Sequence, residues 1–295
     1  MKIIFIGTVR FSYCLLDHLL DLGADVVGII SKKTNHYNSD HKDLTPLSDK
    51  YKIPILHIDE INTEAVYNWV DEKHPDIMFC FGWSQLIKRE LLDLPEMGVI
   101  GYHPALLPKN RGRHPIIWAL ALGLEYTGST FFFMNEHADS GDIVSQSRVE
   151  IHELDDAGTL YEKLIKTAKK QLDDIYPKLM GKTYTLTPQE NCNATYWRKR
   201  GVSDGEIDWK QSAESINNLI RALAWPYPGA HALHNQEMKK IWSARMHAFD
   251  EYQSVAPGCV VDKRGGAVFV QCGEGVIQLT RHELGNAIEV GDRLI

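Results

Sequence analysis

The 295-residue chain has little of what marks several large protein classes. Its five cysteines, Cys14, Cys80, Cys192, Cys259 and Cys272, are scattered, and no two form a C-x-x-C pair. A disulfide framework or a zinc site needs closer and more regular spacing. The expectation is therefore reduced thiols, no metal centre and a cytoplasmic setting. Long apolar runs are missing too. The opening MKIIFIG stops at Gly7, too short for a signal-peptide core or a membrane span, and nothing longer follows. Gly7-Thr8-Val9-Arg10-Phe11-Ser12 stands where a dinucleotide fold carries G-x-G-x-x-G, with one glycine of the three. That speaks against a nicotinamide-dependent dehydrogenase. Net charge is −7, with no block of five or six like charges, so no basic grip on nucleic acid is legible. Internal repeats and low-complexity stretches are also absent from the sequence.

What is present is the makeup of an ordinary folded protein, 44% hydrophobic and 24% charged. The first half alternates strand-like and helix-like segments. KIIFI, DVVGII, PILHI, DIMFCF and GVIGY are β-rich apolar runs, the pattern of strands buried on both faces. Between them, helical spacing is read after Gly7, over residues 62–73 and over residues 84–93. This rhythm predicts an α/β fold with a doubly wound, mostly parallel, Rossmann-like sheet. STFFFM and IVSQSRVEI add two strands, and a long helix follows from near Asp155 to Met180. Beyond a loop-rich stretch and a short helix near 212–223, close-spaced β runs predict a small β-barrel-like domain. The expected division is a catalytic domain over 1–185, a linker over 186–210 and a β-rich domain over 211–295.

Chemistry concentrates in residues 101–142. His103 comes directly after an apolar strand, where open α/β sheets place their ligands. Lys109, Arg111, Arg113 and His114 make the next loop cationic, and Asp139 and Asp142 flank Ser140-Gly141 in a second loop. An imidazole and a carboxylate brought together from two strand ends suffice for acid–base chemistry near neutral pH. Spacing alone leaves the plainer alternative open, because a His after a strand is often structural and Asp-Ser-Gly-Asp is usually a turn. Arg10, beside a helix N-terminus, reads equally as an anion contact or a solvated surface residue.

The run H-P-A-L-L-P-K-N-R-G-R-H-P-I-I-W-A-L, then T-G-S-T and D-S-G-D-I, resembles the folate-dependent formyltransferase family. MKIIFIGTVRFS, CNATYWRKRGVSDGEIDW, IRALAWPYPGA, PGCVV and GEGVIQL extend the resemblance over nearly the whole chain. It implies 10-formyltetrahydrofolate as formyl donor, a Rossmann-like catalytic domain and a small OB-type C-terminal domain. It implies His103 as the base toward an amine or the stabiliser of an oxyanion, with Asp139 orienting and charging it. Phe81, Gly82, Trp83, Ser84 and Ile87 match the segment that lines the pterin pocket, and Asp142 falls near it. One position departs: the family Asn, two before the His, is Gly101 here. Another donor (Asn110, Ser84 or a main-chain N–H), a sufficient His103, or a weak ligand-binding paralogue would each account for that.

G-W-S-Q-L-I together with the His103 block is most similar to the sugar-nucleotide N-formyltransferases. The implied acceptor is a UDP- or dTDP-linked amino deoxysugar destined for surface glycan. On that resemblance Arg10 meets the pyrophosphate, and Lys109, Asn110 and Arg111 shape the acceptor side. Methionyl-tRNA formyltransferases resemble one another in a basic insertion after the second strand. Here KKTNHYNSDHKD mixes lysine with aspartate, so no nucleic acid partner is expected. Methionyl-tRNA formyltransferase is the alternative reading and a formyl hydrolase a lesser one, and the family implies a possible homodimer.

Overall fold

The computed structural model describes residues 1–34, 39–247, 255–285 and 287–295. The loop read as too mixed in charge for a tRNA clamp lies partly outside them, at 35–38. In chain order the first elements are β1 (Lys2–Ile6), α1 (Arg10–Asp21), β2 (Asp25–Ser31), α2 (Thr45–Tyr51), β3 (Ile55–His57), α3 (Glu64–Asp71), β4 (Ile77–Cys80), α4 (Arg89–Leu92) and β5 (Val99–His103). Then come β6 (Arg111–Gly112), α5 (Pro115–Ala121), β7 (Tyr126–Phe133), β8 (Ile143–Glu150), α6 (Ala157–Met180) and β9 (Tyr196–Trp197). The last are α7 (Ala213–Ala222), β10 (Ala230–His234), β11 (Glu237–His247), β12 (Val260–Arg264), β13 (Ala267–Gln271) and β14 (Val276–His282).

Packing divides the chain into two compact units. The first comprises residues 1–115, 127–149 and 162–197, so residues 186–197 pack within it. Its seven-stranded sheet runs β3-β2-β1-β4-β5-β7-β8. The pairs from β3 through β5 are parallel, and β7 joins β5 antiparallel. This is the mostly parallel, doubly wound sheet expected from the apolar runs. The runs are uninterrupted because both faces are covered: Ile3, Ile4, Phe5 and Ile6 are all inaccessible to solvent. Strand order reverses between β1 and β4, and ligands of such sheets bind beyond the carboxyl ends at that reversal. There Ser12 Oγ donates to the Phe81 carbonyl at 2.5 Å, tying the start of α1 to the chain leaving β4.

One expected helix is much shorter than its spacing suggested. Of residues 84–93 only Arg89–Leu92 are helical. Asn62 Nδ2 donates to the Leu86 carbonyl at 2.8 Å, and Lys88 N–H donates to Asn62 Oδ1 at 2.9 Å. Gln85 Nε2 meanwhile donates to the Asp59 carbonyl at 2.9 Å. Side-chain bonds of this kind displace the helical ladder, so residues 81–88 form an extended loop instead.

The second unit comprises residues 116–126, 150–161 and 198–295. Its five strands form an antiparallel sheet in the order β10-β11-β14-β13-β12, with α7 packed on β11 and β14. Ser212 caps α7 by accepting from Ser215 N–H at 3.1 Å. At the entrance to the unit, Arg198 grips both carboxylate oxygens of Asp204, and Gly201 N–H donates to the same carboxylate at 2.6 Å. Chiefly through the Arg198 bonds, Asp204 is held well below the usual carboxylate range. A carboxylate depressed on folding stabilises the protein above its ordinary value of 3.8, and that contribution fades as pH falls through the folded value. The melting temperature of Asp204→Asn is therefore expected to lie below wild type at neutral pH, with the gap narrowing as pH drops below 3.8. A gap independent of pH would count against the linkage.

Candidate active site

The site grows from the carboxyl end of β5 in the first unit. Side chains alternate along a strand, so Gly101 and His103 face one way while Tyr102 faces the other. Tyr102 stacks on Phe11, with ring centroids 4.2 Å apart, and its hydroxyl meets Ser129 Oγ at 2.9 Å. Ser129 in turn donates to Gln171 Oε1 at 2.6 Å. This anchoring behind the strand leaves little freedom in front. The loop after His103 is fastened by the T-G-S-T run: Thr127 Oγ1 donates to the Pro104 carbonyl at 2.9 Å, and Thr130 Oγ1 to the Ala105 carbonyl at 2.6 Å. Between the two threonines, Gly128 lets the loop lie flat on β7, since a Cβ there would stand 2.5 Å from the Ala105 carbonyl carbon.

His103 is only 4% exposed, and both ring nitrogens have a neighbour. Nε2 lies 2.7 Å from the Asn110 carbonyl oxygen, and Nδ1 lies 3.6 Å from Asp139 Oδ2. A carbonyl only accepts, so Nε2 carries a hydrogen and the neutral ring presents its free lone pair at Nδ1. At 3.6 Å the contact with Asp139 is one of charge rather than a hydrogen bond. A proton taken up at Nδ1 would lie beside that carboxylate. Asp139 itself sits at φ 55, a left-handed conformation that aspartate tolerates better than most residues. Its Oδ2 accepts from Gly112 N–H at 2.8 Å. Gly112 has φ 106, and a Cβ there would lie 2.4 Å from the Trp197 carbonyl oxygen, so glycine is needed for this approach.

Arg111 corrects an expectation. Read as an acceptor contact, it is 1% exposed and turned into the protein. Nε and Nη2 donate to Gln189 Oε1 at 3.1 and 2.8 Å, Nη2 also to Asn191 Oδ1 at 3.0 Å, and Nη1 to the Tyr196 hydroxyl at 2.9 Å. A cation in a fixed fork needs several acceptors when buried, and the segment after α6 supplies them. Arg10 is likewise committed. Its guanidinium pairs with Glu162. The N–H groups that would cradle an anion are in use as well: Thr8 and Val9 donate to Ser12 Oγ, and Arg10 to the Asp40 carbonyl.

Asn110 is brought to His103, through its main-chain carbonyl. Thr195 Oγ1 donates to Asn110 Oδ1 at 3.2 Å and accepts from Asn110 N–H at 2.8 Å, leaving Nδ2 as the donor end of the amide. Lys109 is exposed next to it. The 81–87 loop is joined to the same region by Arg113, whose Nη1 donates to the Ser84 carbonyl at 2.5 Å. Within that loop Phe81 and Ile87 are buried in the core, whereas Gly82 and Trp83 are partly exposed and Ser84 exposed. The Trp83 indole nitrogen is buried with no hydrogen-bond partner among the described residues. Asp142 accepts Phe133 N–H at its main-chain oxygen, at 2.9 Å, where the Asp139 turn re-enters the sheet. At Gly101 a Cβ would stand 2.9 Å from Met134 Cγ and 3.1 Å from Phe132 Cζ. Apolar groups therefore crowd the place where an amide would sit. The groups that sequence reasoning missed are Gln189, Thr195 and the main-chain atoms at Asn110 and Gly112. Only the polar run around Gln189-Glu190-Asn191 hinted at any of them.

No group of three or more His, Cys, Asp or Glu residues able to hold a metal occurs among the described residues, and none of their helices is long and apolar enough to cross a membrane. The fold is similar to that of solved proteins along nearly its full length. WlaRD, described as a sugar 3N-formyl transferase in the presence of dTDP and 5-N-formyl-THF, superposes with a TM-score of 0.72 at 19% identity, covering 98% of this chain and 99% of that one. The N-formyltransferase of Helicobacter canadensis, in complex with folinic acid and dTDP-3-aminofucose, gives 0.72 at 17% identity, covering 96% and 100%. A sugar N-formyltransferase of Shewanella sp. gives 0.66 at 20% identity, covering 82% and 96%. In sequence, the formyl transferase family model matches residues 1–175, and that of the formyl transferase C-terminal domain matches residues 201–292. With both models in chain order and the expected sheet beneath them, the chain belongs to the formyl transferase family.

Proposed function

We propose that this protein transfers a formyl group from 10-formyltetrahydrofolate to the amine of a nucleotide-linked amino deoxysugar, UDP- or dTDP-linked. The observation that carries the reading is the His103–Asp139 pair, 3.6 Å apart at the carboxyl end of β5 in a formyl transferase chain. The full-length fold likeness to proteins holding folates and dTDP compounds supports this donor and this class of acceptor. The acceptor amine attacks the formyl carbon, and a C–N bond forms as the carbonyl oxygen becomes an oxyanion. His103 takes the ammonium proton at Nδ1, beside Asp139, whose negative charge stabilises the imidazolium. Collapse of the intermediate breaks the bond to N10 of the folate, which receives the proton. Phe81, Gly82, Trp83, Ser84 and Ile87, with Asp142, hold the folate on this reading, and Lys109 meets the acceptor. Because Met134 and Phe132 crowd Gly101, the amide donor to the oxyanion is assigned to Asn110 Nδ2. The protein works in the cytoplasm, as a homodimer, without a nucleic acid partner.

The crowding at Gly101 also favours a second reading, a ligand-binding paralogue with residual activity. An acceptor screen with 10-formyltetrahydrofolate against UDP-, dTDP- and GDP-linked amino sugars, scored by mass, separates the two. A product heavier by one formyl group is expected with a UDP- or dTDP-linked sugar and should vanish in His103→Ala. Folate binding with no product across the panel would favour the paralogue. Salt-steep binding of tRNA would favour a tRNA acceptor, and free formate without any acceptor would indicate a hydrolase.

A further inference from the structure

We propose that Gln189 is a positioning residue for the formyl-transfer centre, acting through the backbone of the Asp139 turn while held from behind by buried Arg111. The idea rests on the function proposed above for its catalytic readout, and on geometry for the rest. Gln189 lies outside the 1–175 match to the family model, in a segment that composition alone marks as a loop. Its Nε2 donates to the main-chain oxygens of Asp139, at 3.0 Å, and Gly141, at 2.7 Å. Its Oε1 accepts twice from Arg111. An amide gripped at its oxygen by a buried fork cannot rotate, so its two N–H bonds hold a turn that includes a residue at φ 55.

The same segment fastens the rest of the centre. Thr187 exchanges two main-chain hydrogen bonds with Ile143, each 2.9 Å, just past the Asp139 turn. Thr195 holds Asn110, whose carbonyl binds His103. β9 pairs in parallel with β6, which places the Gly112 N–H that Asp139 accepts. Both partners of the His–Asp pair are thus located by residues 187–197, and Gln189 is the one side chain of that segment with hydrogen bonds to the Asp139 turn itself among the described residues.

Two variants separate positioning from mere stability. Gln189→Met keeps the length of the side chain and removes the bonds to Asp139 and Gly141. Tyr196→Phe removes another acceptor of Arg111 and leaves those bonds in place. Both are expected to melt below wild type. Only Gln189→Met should lower kcat, by tenfold or more, with KM for both substrates changed less than threefold. Normal kcat in Gln189→Met, or an equal loss in Tyr196→Phe, would overturn the proposal. Amide exchange of Gly112, whose N–H binds Asp139, gives a readout that needs no acceptor. It should quicken at least tenfold in Gln189→Met and not in Tyr196→Phe, and unchanged exchange in both would overturn the proposal even if the wild-type protein formylated nothing. A wild-type failure with every acceptor sinks the proposed function separately.

Discussion

Asp139→Asn is expected to lower kcat by about three to four orders of magnitude with little change in either KM, the size seen when the carboxylate beside a catalytic histidine becomes an amide. Asparagine has the shape of aspartate, tolerates φ 55, and can still accept Gly112 N–H through its oxygen. The turn should therefore survive. What disappears is the negative charge 3.6 Å from His103 Nδ1, and with it the partner of the imidazolium in the proposed transfer. His103 is 4% exposed, so water is a poor substitute for that charge. Steady-state kinetics with the acceptor found in the screen would measure the effect. A kcat within threefold of wild type would remove Asp139 from the mechanism.

Gly141→Ala is expected to be the most damaging single methyl in the site. A Cβ at Gly141 would lie 1.7 Å from the Phe133 carbonyl oxygen, a backbone atom in β7 that no rotamer change can move aside. Overpacking against a rigid strand puts the loss at about 3 kcal/mol. For a protein of this size that is a fall in melting temperature of roughly 6–12 °C. The damage also reaches the chemistry, because the turn can relieve the clash only by lifting away from β7 and carrying Asp139 with it. A misplacement of about 1 Å at a reacting group costs on the order of a hundredfold in rate. Thermal melts and single-turnover rates on the same preparation test both halves. Wild-type values for both would mean the turn accommodates the methyl without moving.

The two kinds of expectation fared differently for physical reasons. β1, β2, β4 and β5 were legible because strands covered on both faces leave uninterrupted apolar runs. The long helix was legible because Leu160, Leu164, Ile165, Ala168 and Leu172 repeat at helical spacing and are all buried. Residues 84–93 carry a similar apolar spacing, yet Asn62 captures that backbone from across the loop while Gln85 reaches back to Asp59, which no local pattern reveals. In the site, T-G-S-T, R-G and D-S-G-D could be recognised as motifs, and the structure supplies the reason for each. Threonine hydroxyls seize the loop after His103, Gly112 offers its N–H to Asp139, and Gly141 fits under Phe133. Arg111 was misread as an acceptor contact, and the pairing of Arg10 was not legible either. A lone arginine in a sequence shows its charge, whereas its acceptors here are Glu162 on α6 and the Gln189–Tyr196 stretch, far along the chain.

By itself the sequence determined the fold class and the family, and it singled out His103 and Asp139 as candidates, since buried strands and close-packed turns constrain residues next to one another in the chain. Tertiary structure alone decided how that pair is held. Asn110 and Gly112 orient it, Gln189 and Arg111 brace it, and Met134 and Phe132 crowd Gly101. These contacts join residues up to 78 positions apart, as between Arg111 and Gln189, and a distance of that kind leaves no periodicity to read.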